Sequence, residues 1–372
     1  MRKTNQYYKT MIQKHNFLKK DKFLLGTFST NCGGGMTVSK LPERWRANWT
    51  NNLKLGLMLD EAGIDFMLPI ARWVGYAGET DFHGEVMETI TWATALLAKT
   101  KQITVFATVH TVANHPVVVA KQLATMAQIS SERVGLNIVA GWNKPEYDAL
   151  GIPLPKDHET RYGYAQEWFD FVKRLWKEET PFNFDGKYFQ TTRSYGNPRP
   201  ESLPPIFNAA GSGQGRDFAI QNADFLFTPA IDLGRSKTEI AELKQKGVAS
   251  DRDVNVLTFS HVICRPTEEE AQAERQRILD HADWAATDNL INLQFAHAHS
   301  FPHDLLNSIR EGMALGHGGF PLIGTPLQVA DGLTALHEAG FKGTTLSFFD
   351  YAEEFPYFRD NVLPILAERG IR

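Results

Sequence analysis

RVGLNIVAG, residues 133–141, is the stretch on which the fold turns: an apolar, β-branched run of strand length that carries one polar side chain, Asn137, and ends on glycine. A run of this length with no regular polar alternation is what a strand covered on both faces looks like. Working outward, FLLGTFS (23–29), IDFMLPI (64–70) and QITVFATV (102–109) precede it with the same character. Helix-like stretches at 49–62, 86–99 and 116–129 lie between them. PPIFNAAG (204–211), ADFLFTPA (223–230), VNVLTFSHVI (254–263) and GTTLSFFD (343–350) bring the strand candidates to eight. Eight strands with intervening helices predict an α/β fold of the closed (β/α)8 TIM-barrel type rather than an open doubly wound sheet.

The alternation is interrupted twice. PFNFDGKYFQTT (181–192) places Asp185-Gly186 between alternating aromatics and predicts a β-hairpin inserted before the fifth strand. Residues 285–321 mix Gly, His and Asn without strand period and precede the Thr325-Pro326 helix start, so an active-site covering loop is expected there. Residues 1–22, basic and polar without an apolar signal core, are expected to be a tail. Residues 23–372 then form a single domain, a length that α/β barrels commonly reach.

Composition narrows the function. With 42% hydrophobic and 22% charged residues the chain has an ordinary globular balance. A net charge of −4 gives no electrostatic reason to expect nucleic acid or an acidic membrane surface, and favours a small-molecule partner. No apolar run approaches the ~18 residues of a membrane span. Two cysteines, Cys32 and Cys264, make no disulfide framework or metal-spaced set, which fits a cytoplasmic protein.

In a barrel of this kind the chemistry sits after the strands, and these segments are polar here: Ser29-Thr30-Asn31-Cys32 and Gly33-Gly34-Gly35, then Arg72-Trp73, then Thr108 and His110. Asn137 lies inside an apolar strand, where an amide costs free energy unless it finds partners. It is either satisfied by neighbouring backbone or presented to a ligand. Gly211-Ser212-Gly213-Gln214-Gly215, between a strand and a helix, suits a phosphate, because backbone N–H groups point outward there and glycine allows close approach. The same loop could be an ordinary glycine-rich turn. No GxGxxG follows the first strand, which disfavours a Rossmann NAD site. His297, His299 and His303 lack convincing further ligands, and no metal is expected. Glu88, near a helix start, is read as complementing the helix dipole. His83, His110 and Arg72 are candidates for substrate contact, Cys32 is either a thiol near the chemistry or a buried structural one, and Trp73, Tyr76 and Trp142 are read as apolar walls.

Three ordered motifs, GLNIVAGWNKPE (135–146), HETRYGYAQEW (158–168) and NAAGSGQGRDFA (208–219), together resemble the bacterial luciferase-like flavin monooxygenases, and most closely the pyrimidine oxygenase and dimethyl-sulfone monooxygenase branches of that family. The resemblance runs from Gly26 to the last helix. It implies that Ala71, Arg72, Asn137, Glu146, Arg161, Tyr162, Gly211 and Ser212 contact FMN, the phosphate being held by Arg161, Tyr162 and Ser212. It also implies that Thr108 and Asn137 line an oxygen niche beside the flavin.

The implied activity is a two-component monooxygenase. FMNH2 would come from a separate NAD(P)H:flavin reductase, and O2 would oxygenate and cleave a small organosulfur compound or N-heterocycle through a flavin-(hydro)peroxide. A homodimer or homotetramer is implied as well. The substrate clues diverge, because GGGMTVSKLPERW (33–45) resembles the sulfone branch and GYAGETDFHG (75–84) the pyrimidine branch. A deazaflavin-dependent hydride-transfer enzyme on the same barrel is the alternative.

Overall fold

The computed structural model describes residues 15–155, 157–209, 213–295 and 303–372. Its strands are β1 (Leu24–Phe28), β2 (Phe66–Leu68), β3 (Thr104–His110), β4 (Val134–Val139), β5 (Phe182–Asp185), β6 (Gln190–Ser194), β7 (Ile206–Ala209), β8 (Phe225–Phe227), β9 (Asn255–Cys264), β10 (Phe320–Gly324) and β11 (Gly343–Ser347). By contacts the chain divides into two compact units, one holding residues 1–21, 89–227 and 244–255, the other residues 22–88, 228–243 and 256–372.

In the first unit β3, β4, β7 and β8 pair in that order, all parallel. Phe106 on β3 and Gly135 on β4 are register partners, and the Phe106 ring lies on the face where a side chain at 135 would project. Only glycine fits at 135, because a Cβ there would overlap the Phe106 ring. Phe207 stacks against Phe225 at 4.9 Å and meets Phe106 edge-on at 4.4 Å. Phe17, from a short 3-10 turn at Asn16–Lys19, closes this cluster with its ring 5.7 Å from Phe106 and 5.4 Å from Phe225. The expected N-terminal tail therefore ends as an ordered plug, held where His15 meets the Glu132 carbonyl at 2.7 Å. Helix Pro116–Ser130 starts on a proline with His15's counterpart at its own cap, His115, accepting from the Val117 amide. β5 and β6 pair antiparallel as a hairpin joined through residues 186–189, and β6 runs two residues past Thr192.

In the second unit the order is β10-β9-β11-β1-β2, again all parallel. Asp65, fully buried just before β2, accepts from the Leu25 amide at 3.0 Å and from Arg372 Nη1 at 2.6 Å, which ties the start of the strands to the last residue. Helix Pro326–Glu338 begins with a reciprocal capping box between Thr325 and Gln328.

Eight of the parallel strands coincide with the eight sequence candidates. The ninth, β10, was not foreseen: FPLIG begins on a Phe-Pro pair inside the stretch expected to be loop. Proline is tolerated because β10 is an edge strand, paired with β9 alone. The rest of that expected loop is also corrected. Its described part is two helices, Trp284–Gln294 and His303–Gly316, the first capped by Asp283 and burying Ala286, Leu290 and Ile291 on one face against Val38, Tyr76 and Phe82. No helix among the described residues is long and apolar enough to cross a membrane.

Candidate active site

The two groups of polar side chains that follow the strands fall one in each unit. In the first unit, Thr108 and Asn137 are register partners across β3 and β4, both buried. Asn137 Nδ2 donates to Thr108 Oγ1 at 3.2 Å, while the Thr108 carbonyl accepts from Thr89 Oγ1 at 2.7 Å. Asn137 Oδ1 is enclosed and receives no hydrogen bond. The same holds for Asn208 Oδ1 on β7, whose Nδ2 donates to the Ile138 carbonyl at 2.8 Å. His110 lies two residues beyond Thr108, on the same strand face and equally buried.

After β4 the chain turns at Gly141, where φ is +105° and a Cβ would overlap the Tyr147 phenol oxygen. The turn leads into helix Lys144–Leu150, with Glu146 in its first turn at 0% exposure. Tyr147 donates to the Ala140 carbonyl at 3.4 Å. Burial, followed by the Glu146 charge, pushes its phenol up to about 12, and the Arg161 guanidinium opposes the rise. The charges of Glu146 and Arg161 thus act on the same phenol with opposite sign. Arg161, nearly buried, sits in the first turn of helix His158–Lys177, whose end is fixed by Asp157 accepting from the Thr160 amide at 2.6 Å. The neighbouring Tyr162 ring lies 5.7 Å from Phe218 of helix Gly213–Asn222. Gly211 and Ser212, immediately before that helix, lie outside the described residues, as do His297 and His299.

In the second unit Ala71 and Arg72 follow β2, Ala71 buried and the Arg72 guanidinium 4.9 Å over the Tyr76 ring. Asn31 binds the loops after β1 and β2 together: its amide donates to the Ile70 and Met87 carbonyls at 2.8 and 3.0 Å and accepts from the Ile70 amide. Cys32 is fully buried, with its Sγ 3.6 Å from Asn31 Oδ1 and 3.9 Å from the Ile70 carbonyl. Of the expected walls, Tyr76 is buried, whereas Trp73 and Trp142 are exposed. His83 packs its ring on Phe82 at 4.0 Å and beside His317 at 6.0 Å.

Two histidines escaped the sequence reading. His261, on β9, is buried with neither ring nitrogen hydrogen-bonded. It interrupts an apolar strand just as Asn137 does, so the same signal could have found it. His317 stands between glycines at φ +59°, and sequence offered no comparable signal. Among the described residues no group of three or more His, Cys, Asp or Glu is placed to hold a metal. A cavity of about 700 Å³ lined by His15, Lys20, Lys101 and Arg133 lies at the N-terminal ends of β3 and β4, the end of the strands that barrel enzymes use for stability.

The fold is the (β/α)8 barrel: a crystal structure described as DmoA from Hyphomicrobium sulfonivorans superposes with a TM-score of 0.85 over 94% of this chain and 89% of its own, at 19% identity. Residues 24–343 match the luciferase-like monooxygenase family, and the chain belongs to that family. An FMNH2-dependent dimethylsulfone monooxygenase from Pseudomonas fluorescens is 30% identical over 91% of this chain and 93% of its own length. A pyrimidine monooxygenase from Acinetobacter baylyi is 28% identical over 93% and 95%.

Proposed function

We propose that the chain is a flavin-dependent monooxygenase that takes FMNH2 from a separate NAD(P)H:flavin reductase and uses O2 to oxygenate a small organic molecule. The observation that carries this reading is the Asn137–Thr108 pair. Asn137 gives one of its two N–H groups to Thr108 and keeps a buried carbonyl oxygen without a donor. A buried acceptor of this kind needs a partner. The ring N–H groups of a reduced flavin are suitable donors, so the residues present fit the cofactor.

Reduced FMN, when bound, supplies the two electrons that activate O2. The protein's own share is to bind, orient and exclude water. Arg161, a nearly buried cation beside Tyr162, would take the phosphate with Ser212 and the Gly211 amide. Glu146 is a buried carboxylate at a helix start and would orient polar groups of the cofactor or hold Arg161 in place. Ala71 and Arg72 would meet the flavin, as the family pattern has it, and His110 and Arg72, at the ends of β3 and β2, would meet the substrate. One barrel domain over residues 23–372, a cytoplasmic location and a homodimer or homotetramer complete the proposal.

The deazaflavin-dependent alternative is not favoured, because the relatives matched over nine-tenths of the chain are named as monooxygenases, one of them FMNH2-dependent. Anaerobic titration with FMN, FMNH2 and a deazaflavin, followed by mixing with O2, tests the reading. Saturable FMNH2 binding with O2-dependent oxidation is expected. Preference for the deazaflavin, or indifference to all three, would overturn it.

A further inference from the structure

We propose that the loops after β1 and β2 form a binding site for a small zwitterion, a molecule with an ammonium group and a carboxylate or sulfonate a few carbons apart, such as a free amino acid or an aminosulfonate. The site lies wholly in the second unit and does not depend on the monooxygenase reading. A pocket of about 120 Å³ opens between the two loops, with Gly33, Arg44, Arg46, Asp81 and Glu85 in its wall. At ~30 Å³ per water molecule, that space displaces about four waters, which suits a ligand of a few non-hydrogen atoms.

Hydrogen bonds and glycines fix the walls. The Gly33 amide donates to the Glu85 carbonyl at 2.8 Å and the Gly34 amide to the Trp45 carbonyl at 2.9 Å, so one glycine pair holds both loops. Trp45 is fully buried and donates from Nε1 to the Thr30 carbonyl at 2.8 Å, which pins the segment that carries Arg44 and Arg46. On the other loop Asp81 holds φ at +43°, a conformation that costs a non-glycine residue free energy and collects at ligand sites. Its carboxylate lies over Gly75 and Gly84, where a Cβ at either position would overlap it. Two glycines and one strained residue thus keep a carboxylate in place that takes part in no hydrogen bond or ion pair among the described residues.

Four charges meet at this pocket, two of each sign, and none is in an ion pair among the described residues. Arg44 is half-buried, with Nη1 donating to the Leu41 carbonyl at 3.2 Å, while Arg46, Asp81 and Glu85 are exposed. Burial, followed by the Arg46 charge, lowers the Arg44 pKa, and the Asp283 carboxylate opposes the shift. Two guanidinium groups are therefore held close enough to repel each other. A lone anion would meet both arginines but also both carboxylates, and a lone cation the reverse, so neither gains much. A zwitterion with its oxyanion on Arg44 and Arg46 and its ammonium on Asp81 and Glu85 is attracted at both ends. The arginines only donate and the carboxylates only accept, which matches the two ends of such a ligand by charge-assisted hydrogen bonds.

The test uses the full chain and four probes at constant ionic strength: β-alanine and taurine, which carry both charges, and propionate and propylammonium, which carry one each. Ligand-observed NMR titration is expected to show saturable binding of β-alanine or taurine, about tenfold tighter than that of either single charge. The tighter of the two identifies the anionic end as carboxylate or sulfonate. Glu85→Gln should weaken the zwitterion about tenfold and strengthen propionate, because a repelling carboxylate is gone. Arg46→Gln should weaken the zwitterion to a similar extent and strengthen propylammonium. A merely structural role would not produce these opposite changes. Both variants should keep the melting temperature and FMN affinity of the wild type, since both side chains are exposed. Wild-type binding of propionate as tight as that of the zwitterions overturns the proposal, as does zwitterion affinity unchanged in both variants. Absence of saturable zwitterion binding overturns it too, leaving four solvated surface charges. Loss of FMN affinity in either variant overturns it by assigning the pocket to the cofactor.

Discussion

Asn137 Nδ2 donates to Thr108 Oγ1 across the β3–β4 register, and that bond holds the amide with its buried oxygen left to accept from a ligand. Asn137→Ala removes this acceptor from a site already shaped by Phe106, Phe207 and Phe225. The expected result is a melting temperature within a few degrees of wild type, FMN affinity about tenfold weaker, and a larger share of O2 released as H2O2. Thr108→Val should reproduce the rise in H2O2 with a smaller loss of FMN affinity, because it frees the Asn137 amide without removing it. Peroxide yield per FMNH2 oxidised and a flavin fluorescence titration read both effects. Unchanged values for Asn137→Ala would remove the residue from the flavin site.

Gly135 is a packing prediction on the same strand. An alanine methyl would overlap the Phe106 ring, which is itself fixed against Phe17 and Phe207. Overpacking of this kind costs about 1–3 kcal/mol. Gly135→Ala should lower the denaturation midpoint accordingly, and Phe106→Leu in the same chain should recover part of the loss. Gly135→Ala at wild-type stability would show that the ring moves aside freely.

How much of this was legible beforehand depended on whether a residue's role is local or spatial. Asn137 declared itself because a polar side chain inside an apolar strand is anomalous at a glance, and the eight strand candidates were legible for the same reason, as short apolar runs between breakers. β10 was not, because its short apolar run FPLIG carries proline at the second position and follows Gly318-Gly319, which read together as a turn. The helices at Trp284–Gln294 and His303–Gly316 were hidden by the segments beside them, where His297, His299, His317, Gly318 and Gly319 read as loop, although the Ala286, Leu290 and Ile291 spacing that buries the first was present in the sequence. The meeting of His83 with His317 joins positions far apart in the chain, and no local pattern carries it.

Asp65 and Arg372 make a stability prediction. Asp65 is fully buried, and its carboxylate accepts from both the Leu25 amide and the Arg372 guanidinium. Removing one partner of a buried pair strands the other, at about 3–5 kcal/mol. Arg372→Ala should thus destabilise the protein by several times what an exposed pair such as Lys54–Glu353 costs on Lys54→Ala, for which about 0–1 kcal/mol is expected. Urea denaturation of the two variants side by side measures the contrast, and equal losses would show that Lys22, 3.5 Å from Asp65, compensates for the missing arginine.

His261 makes the pH prediction. Burial, with a smaller contribution from the Arg275 charge, lowers its pKa from 6.5 to about 4 in the folded protein. Between those two values the unfolded chain binds a proton that the folded chain refuses, so the unfolded state gains stability as pH falls. The contribution of His261 is therefore intact above pH 6.5 and drains away down to about pH 4, at up to about 1.4 kcal/mol per pH unit. His15 carries a similar shift, also to about 4, and remains in both proteins when only His261 is changed. His261→Leu should accordingly have a shallower dependence of unfolding free energy on pH between 6.5 and 4 than wild type. At pH 7.5 the variant should be at least as stable, because neither nitrogen of the His261 ring is hydrogen-bonded and an apolar side chain of similar volume removes that cost. Urea midpoints at pH 7.5 and pH 5 decide it. Parallel wild-type and variant curves would mean that the His261 ring becomes protonated in the folded state as readily as in the unfolded chain.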